Sequence, residues 1–335
     1  MKITTNFYSV FKINSQMTGS SGIQNLKVRL GSILRSTFSK LPVTLFGDRH
    51  FDRGLSFNIV TKNDPWLLEC IASIIPHADE IIVIDSSDDD KYISYNKKLI
   101  EMVSENVRIK YFFEDLRVTQ ARRKAKDNSS KEIIVHWDAD MVAFDQGKGS
   151  FSEIIDTISP GKMKKYVEFP LLTPCHDLKK IAIKPIDIEP WIFSNTVKEL
   201  YIPRPADKNS EEMVEGFTPP KHYKRIMLDY FGAVHMRRLM PPEKAYYKKY
   251  QGYLLNEKFM EKYKDYNNLK EQFHADMAEE NPICVNHDDA IHGPYPLELN
   301  RFINLSHDEL LGKKINEIET LLIPQELAEK IKRYS

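Results

Sequence analysis

The sequence is poor in cysteine and has neither a long hydrophobic run nor a net charge. Its 335 residues include three cysteines, which lie far apart and form no CxxC pair. Because there is also no secretory leader, we expect reduced thiols in a cytoplasmic protein; the three are Cys70, Cys175 and Cys284. No apolar stretch approaches the roughly 18 residues that a membrane span needs.

The charges balance over the whole chain. Lys+Arg and Asp+Glu each number 48, so the formal charge is zero and gives no whole-molecule argument for a polyanionic partner. The 41% hydrophobic and 29% charged residues are typical of a soluble globular protein. The length suits one large domain or two smaller ones. We find no internal repeat and no low-complexity tract.

Residues 1–54 differ from the rest in charge. The residues before Asp48 include six Lys or Arg and no acidic residue. Within them, "SGIQNLKVRLGSILRSTF" places its apolar residues at helical spacing, which predicts a basic amphipathic helix. Such a helix would pack on the main domain, or it would contact a membrane surface or nucleic acid. A transit peptide is a third interpretation.

From Leu55 onward, short apolar strands alternate with helical patterns. Four strands are predicted, each followed by polar residues; with those residues they read "LSFNIVTKND", "DEIIVIDSSDDD", "NVRIKYFFED" and "KEIIVHWDAD". Nearly continuous apolar strands with helices between them indicate a mostly parallel sheet covered on both faces. Polar residues gather where these strands end, and ligands of such α/β folds bind beyond the carboxyl ends of the strands.

After Gly149 the pattern becomes irregular. The stretches "KKYVEFPLLTP", "KKIAIKPIDIEPWIFS" and "KELYIPRP" predict strands of a mixed sheet, in which their prolines limit pairing. The stretch "KRIMLDYFGAVHMRRL" predicts one apolar strand that ends near His235. Helical patterns follow to the end of the sequence. We therefore divide the chain into a basic extension (1–54), an α/β domain (55–252, with halves 55–145 and 146–252) and a C-terminal helical extension (253–335).

The fourth strand carries the most informative motif, "WDADM". Alternate residues of a strand project to the same face, so Asp138 and Asp140 should point to one place at the sheet edge. Paired carboxylates are ligands that Mg²⁺ and Mn²⁺ prefer. The alternative is a solvated strand end or a pair of turn-forming aspartates. The position at the end of the fourth strand favours the metal site.

Two segments together resemble the nucleotide-sugar-binding half of family 2 glycosyltransferases with the GT-A fold. They are "FNIVTKNDPWLLECIASIIPHADEIIVIDSSDDD" and "VTQARRKAKDNSSKEIIVHWDADM". The resemblance is close over about a quarter of the chain. It implies a Rossmann-like, mostly parallel sheet with helices on both faces. It also implies transfer of a hexose from a UDP- or GDP-linked sugar.

The resemblance also assigns roles to single residues. It implies a nucleotide-sugar site formed by Thr61, Lys62, Asn63, Asp85, Arg122, Asp138, Arg237 and Arg238. It implies an Mn²⁺ or Mg²⁺ site formed by Asp138, Asp140 and His235. His235 follows an apolar strand and suits a late metal ligand, with His176, His222 and His287 as weaker rivals.

An inverting transferase also needs a carboxylate base within reach of the acceptor hydroxyl. The candidates are Asp187, Glu189 and Asp229, with Glu168 as a further one. The adjacent Glu-Asp pair that is usual in the acceptor half of the family is absent. The choice between an inverting and a retaining reaction therefore stays open.

The acceptor half ends in a basic and tyrosine-rich stretch. Residues 221–270 contain twelve Lys or Arg against five Asp or Glu, a composition that suits sugars, phosphorylated lipid carriers or nucleic acid. We expect a glycan or glycolipid acceptor, with peripheral membrane contact through the N-terminal helix. The alternatives are transfer to modified nucleic-acid bases and a non-catalytic binding module. A nucleotidyltransferase would need a Gly-rich phosphate loop, for which only "TGSSGIQ" is a candidate.

Overall fold

The computed structural model describes residues 51–334 apart from 104–107, 117, 146–149, 153, 155–164, 176, 185–187, 196–203, 206–212, 215–223 and 241–282. The predicted N-terminal helix and most of the basic, tyrosine-rich stretch lie outside the described residues. The first half alternates strand and helix: β1 Asp52–Thr61, α1 Leu67–Ile74, β2 Glu80–Asp85, α2 Asp90–Val103, β3 Ile109–Phe113, α3 Val118–Asn128 and β4 Lys131–Asp138.

These four strands form the parallel part of the sheet, in the order β4-β1-β2-β3. Their side chains alternate between two layers of helix. Phe57 and Ile59 belong to the large core shared with α1 and α2, whereas Ile82 and Ile84 pack with α3 on the other face. Burial on both faces is what makes these strands apolar throughout. The predicted α/β fold is confirmed.

The second half extends this sheet with strands of mixed direction. Its elements are β5 Met141–Ala143, β6 Lys165–Pro174, β7 Lys180–Lys184, β8 Ile188–Ser194, β9 Arg204–Pro205, β10 Met213–Val214, β11 Lys224–Met227, β12 Ala233–His235 and a 3-10 helix, Met236–Arg238. The short strands β9 and β10 form a separate two-stranded sheet. Strand β8 pairs antiparallel with both β4 and β6. Strand β6 therefore runs in the direction of β4, and both end at the same sheet edge.

The single strand predicted before His235 is in fact two strands, so that prediction was wrong. Both β11 and β12 pair with β6, but the register advances six residues from Met227 to Ala233 while β6 advances three. The extra residues form a bend. Gly232 ends the bend beside the ring of Phe169, which lies 2.4 Å from where a Cβ would stand. This contact between distant segments has no local sequence signal.

The C-terminal segment returns to the domain and joins its sheet. It comprises β13 Ile283–Asn286, α4 Asp289–His292, a 3-10 helix Leu297–Phe302, α5 His307–Glu319 and α6 Gln325–Tyr334. Strand β13 pairs antiparallel with β7 at the sheet edge. Helix α5 packs on α2, and α6 packs on α1 and α2. The helices predicted at this end are present, whereas β13 was not predicted.

A fully buried ion network fastens this segment to α1. The Nζ atom of Lys314 lies 2.7 and 2.9 Å from the two carboxylate oxygens of Glu69, and both side chains are completely buried. Arg301 binds the same carboxylate and also Glu317, whose Oε2 lies 3.1 Å away. Buried charges are tolerated when they are paired in this way.

The expectation of three reduced cysteines is wrong for two of them. Cys175, directly after β6, forms a disulfide with Cys284 on β13. The antiparallel pairing of β7 with β13 brings the two together across 109 residues of sequence, so their spacing in the chain gave no hint. Cys70 is a buried free thiol. No helix within the described residues is long and apolar enough to cross a membrane.

Candidate functional site

The turn after β1 is tied to the turn after β2 through Asn63. This residue adopts a left-handed backbone conformation, with φ at 51°. Its backbone N–H donates to Ser87 Oγ at 2.9 Å, and its side-chain oxygen accepts from the backbone N–H groups of Asp88 and Asp89 at 3.1 Å. Lys62 Nζ lies 3.0 Å from a carboxylate oxygen of Asp88. Two predicted site residues thus shape one polar edge.

Asp85 lies beneath this edge and is fully buried. One carboxylate oxygen accepts from the backbone N–H of Ser87 at 2.9 Å, and the other accepts from Asn96 at 3.0 Å and Tyr111 at 2.7 Å. Burial and this bond to Asp85 raise the pKa of Tyr111, which keeps the phenol a donor. To bind a nucleotide base, Asp85 would have to give up one of these hydrogen bonds. The role of Asp85 in base binding stays a prediction.

Strand β4 ends at Asp138, and a turn follows that contains Asp140. The premise that both aspartates alternate along one strand was therefore wrong. The carboxylate of Asp138 accepts from Arg122 Nη2 at 3.0 Å. The alternation rule applies instead to His136, whose Nε2 lies 3.6 Å from the same Asp138 oxygen. Sequence reasoning missed His136, although its spacing from Asp138 was visible.

Asp140 is brought beside His235 by backbone pairing. Strand β12 runs antiparallel to β5 with His235 opposite Met141, and the backbone N–H of Met236 donates to the Asp140 carbonyl at 2.7 Å. As a result, His235 Nε2 lies 3.5 Å from Asp140 Oδ1. Their side chains are 12% and 7% exposed, so both groups are largely shielded from bulk water.

This pair supplies the donor types that Mn²⁺ accepts, a carboxylate oxygen and an imidazole nitrogen. Within the described part of the chain, no three His, Cys, Asp or Glu residues are grouped so that they could hold a metal ion. Asp140 and His235 would therefore hold an ion together with oxygens from a bound diphosphate and water, as is common for Mg²⁺ in phosphate sites. The metal assignment stays a prediction.

The pKa values of two buried side chains, His136 and Cys70, respond to the charges around the site. Burial, and then the charge of Arg122, hold the pKa of His136 well below its ordinary value, so this imidazole is neutral. Burial, followed by Asp64, Asp140 and Asp138, raises the pKa of the Cys70 thiol. Several carboxylates thus converge at the end of β4, where a cation would be favourable.

The other predicted site residues lie on several different elements or outside the described residues. Arg237 and Arg238 form the 3-10 helix directly after His235. Asp229 is exposed in the bend between β11 and β12, and Glu168 on β6 is paired with Arg225. Glu189 lies on β8 opposite Phe169, with its side chain outside the described residues. Also outside them are Asp187, His176 and His222. Thr61 is a buried strand end, and His287 stacks on Tyr295 in the C-terminal segment.

Comparison with known proteins identifies the family of the segment that carries the Asp138–Asp140 turn. Residues 56–151 match the model of the family described as glycosyl transferase family 2. The match spans β1 to β4 and the Asp138–Asp140 turn. It confirms the resemblance to family 2 glycosyltransferases and identifies this segment as a glycosyltransferase domain with the GT-A fold. Curated proteins gave no match.

The similarities to solved structures are distant. A crystal structure of residues 1–349 of S. aureus TarS is 14% identical, with a TM-score of 0.39, over 60% of this chain and 65% of that one. The mannosyltransferase PcManGT from Pyrobaculum calidifontis, in complex with GDP-Man and Mn²⁺, is 17% identical, with a TM-score of 0.30, over 43% of this chain and 42% of that one. The chain thus spans less than two thirds of either.

Proposed function

We propose that this family 2-like glycosyltransferase moves a hexose from a UDP- or GDP-linked sugar to a hydroxyl group of a glycan or glycolipid, with Mn²⁺ or Mg²⁺ at its site. The observation that carries the proposal is the 3.5 Å approach of His235 Nε2 to Asp140 Oδ1 at the carboxyl end of β4. The family match supports glycosyl transfer, and the donor, metal and acceptor are proposed from the residues and the family resemblance.

The nucleotide would lie along the edge formed by the ends of β1 and β2. Lys62 and Asn63 already join these two turns, and Thr61 and Asp85 lie directly below. A rigid edge of this kind binds a ligand without first having to become ordered. Arg122, held by Asp138 at 3.0 Å, would direct its charge toward ribose or phosphate.

The metal would be held by Asp140 and His235, with Asp138 as a further ligand on exchange of its bond with Arg122. A divalent ion supplies Lewis acidity to the leaving diphosphate. Arg237 and Arg238 follow His235 directly, where leaving-group charge would develop. These residues together address the difficult part of the reaction, which is the departure of a diphosphate that gains a further negative charge as the C–O bond breaks.

In the reaction, the oxygen of the acceptor hydroxyl forms a bond to the anomeric carbon, and the bond from that carbon to the diphosphate oxygen breaks. The nucleoside diphosphate leaves with the bonding electron pair. For inversion, the hydroxyl proton passes to a carboxylate base. Asp187, Glu189 and Asp229 stay the candidates. Glu168 is less suited, because Arg225 already occupies its carboxylate.

Titration calorimetry with UDP and GDP, each with and without Mn²⁺, tests the proposal. We expect one nucleotide to bind more tightly with the metal, because the metal would link the diphosphate to Asp140. A screen of UDP- and GDP-sugars for hydrolysis then identifies the donor. Absence of metal-dependent binding for both nucleotides, together with no hydrolysis of any sugar nucleotide, would contradict the proposal.

A further inference from the structure

A cleft of about 420 Å³, separate from the Asp140–His235 pair, lies between the β6–β7 turn and the segment that follows β13. Its volume is within the range of roughly 300–1,000 Å³ that is usual for small-molecule sites. It opens beyond the carboxyl end of β6. Because β6 runs in the direction of β4, this is also the edge at which Asp138 and Asp140 lie. An acceptor would approach the site from this side of the sheet.

The walls of the cleft combine apolar and polar groups with one side chain of each charge, Lys179 and Asp289. Leu178 and Ile303 supply apolar surface, while Asn286 and Asn300 contribute exposed amide side chains. An amide both donates and accepts hydrogen bonds, as a sugar hydroxyl does. A pyranose ring presents an apolar C–H face bordered by hydroxyl groups. Because Lys179 and Asp289 carry opposite charges, the lining has no net charge. Together with the amides, it fits a neutral, hydroxyl-bearing saccharide better than it fits an anion or a purely apolar ligand.

Two buried rings at the cleft contain polar atoms that lack a hydrogen bond. The rings of His287 and Tyr295 stack with their centroids 4.1 Å apart. Tyr295 is 6% exposed, and the His287 side chain is 8% exposed. Within the described residues, neither the Tyr295 hydroxyl nor His287 Nε2 has a partner. Such groups carry a free-energy cost, which a hydroxyl-bearing ligand would relieve.

The cleft is also held rigidly. The Cys175–Cys284 disulfide connects its two walls, and the backbone N–H of His287 donates to the Lys179 carbonyl at 2.8 Å. Tyr295 belongs to the same hydrophobic cluster as Val234, the residue before His235. The cleft therefore keeps a fixed position relative to the Asp140–His235 pair, as an acceptor subsite must.

We propose that this cleft binds a pyranose ring of the acceptor glycan. The proposal rests on the proposed glycosyl transfer, and it places acceptor recognition on the C-terminal segment rather than on the domain that matches the family model. Asn286 and Asn300 bind hydroxyl groups of the ring, and the stacked pair of His287 and Tyr295 completes the polar contacts from below.

The first test compares Asn286→Ala and Asn300→Ala with Asn316→Ala, an exposed asparagine of α5 outside the cleft. The full chain and its identified donor are used, with methyl pyranosides of glucose, galactose, mannose and N-acetylglucosamine as acceptors. We expect each cleft variant to raise the acceptor KM by about tenfold, as the loss of one hydrogen bond does. Donor hydrolysis in the absence of acceptor should equal that of Asn316→Ala. An acceptor KM equal to that of the control in both variants would overturn the proposal.

A second measurement needs no turnover. Saturation-transfer NMR of the same methyl pyranosides, without donor, should show binding to the unchanged protein and to Asn316→Ala, and loss of binding in the Asn286→Ala/Asn300→Ala variant. If no sugar nucleotide is hydrolysed, the proposed function fails, but this experiment still shows whether the cleft binds a pyranose. Absence of saturation transfer from the unchanged protein to every one of the pyranosides would overturn the cleft proposal.

Discussion

Lys314 places its ammonium group within 2.9 Å of both carboxylate oxygens of Glu69, although 245 residues separate them in sequence. Neither side chain is exposed to solvent. A buried charge that loses its partner is strongly unfavourable, so this pair makes the stability of the domain depend on α5.

Replacing Lys314 with Met should therefore destabilise the protein by about 3–5 kcal/mol, because Glu69 would keep a buried charge that is only partly compensated by Arg301. Urea denaturation followed by circular dichroism measures the loss. Lys332→Met, on the exposed side of α6, is the matched control. The Glu69→Gln/Lys314→Met variant should recover part of the loss. Equal midpoints for Lys314→Met and Lys332→Met would show that the pair contributes nothing.

Removal of the disulfide in a Cys175→Ser/Cys284→Ser variant should cost about 2–4 kcal/mol, since a cross-link over 109 residues restricts the unfolded chain. Urea midpoints with and without reductant provide the measurement. Reductant should lower the urea midpoint of the unchanged protein and leave the midpoint of the variant the same. Alkylation of the unfolded, unreduced protein should label Cys70 alone, and labelling of all three cysteines would show that the bond does not form.

Asp140→Ala should lower Mn²⁺-dependent donor hydrolysis by at least about 100-fold, because the ion contributes several kcal/mol of charge stabilisation. Its circular dichroism spectrum should not change. Asp308→Ala, an exposed aspartate at the start of α5, should keep full activity. Full turnover of Asp140→Ala in Mn²⁺ would remove this residue from the metal site.

His235→Ala should raise the Mn²⁺ concentration for half-maximal hydrolysis by at least about tenfold, the equivalent of ~1.4 kcal/mol of binding energy. His307→Ala, at the start of α5, is the control. In a crystal structure with nucleotide and Mn²⁺, His235 Nε2 should lie about 2.0–2.3 Å from the ion. A ring nitrogen several ångströms away would contradict the assignment.

His77 should titrate at an unusually low pH. Burial, and then the charge of Lys330, lower its pKa from 6.5 to about 4. In the folded protein the ring is therefore neutral at pH 5–6, whereas in the unfolded chain it takes up a proton below about 6.5. Its contribution to stability is complete above pH 6.5 and is lost as the pH falls toward 4. NMR titration of the imidazole signal that His77→Gln removes checks this, and a midpoint near 6.5 would refute it.

The parallel half of the fold could be predicted because its signals are local. Strands buried on both faces, such as the one containing Phe57 and Ile59, are apolar throughout, and helical patterns separate them. The family resemblance rests on this same half. The edge at which Asn63, Asp85 and Asp138 lie followed from the rule that parallel strands end together.

What the sequence could not reveal depends on contacts between distant segments. The bend before Gly232 places this glycine against the ring of Phe169, where a Cβ would have no room. Cys175 meets Cys284 only after β13 has paired with β7. The turn at Asp140 interrupts the alternation that its spacing from Asp138 suggested, and its partner His235 comes from 95 positions later in the printed sequence.

The late arrival of β13 and Lys314 has a consequence for synthesis on the ribosome. The domain matched by the family model emerges first, but the sheet lacks its edge strand β13, and Glu69 on α1 lacks its partner Lys314, until residues 283–314 have been translated. A nascent chain stalled before Ile283 would lack both Lys314 and Cys284, so it would expose the Glu69 carboxylate to water and leave Cys175 as a free thiol. Translation of residues 283–314, rather than folding of the family domain, is therefore the step that closes the sheet and neutralises Glu69.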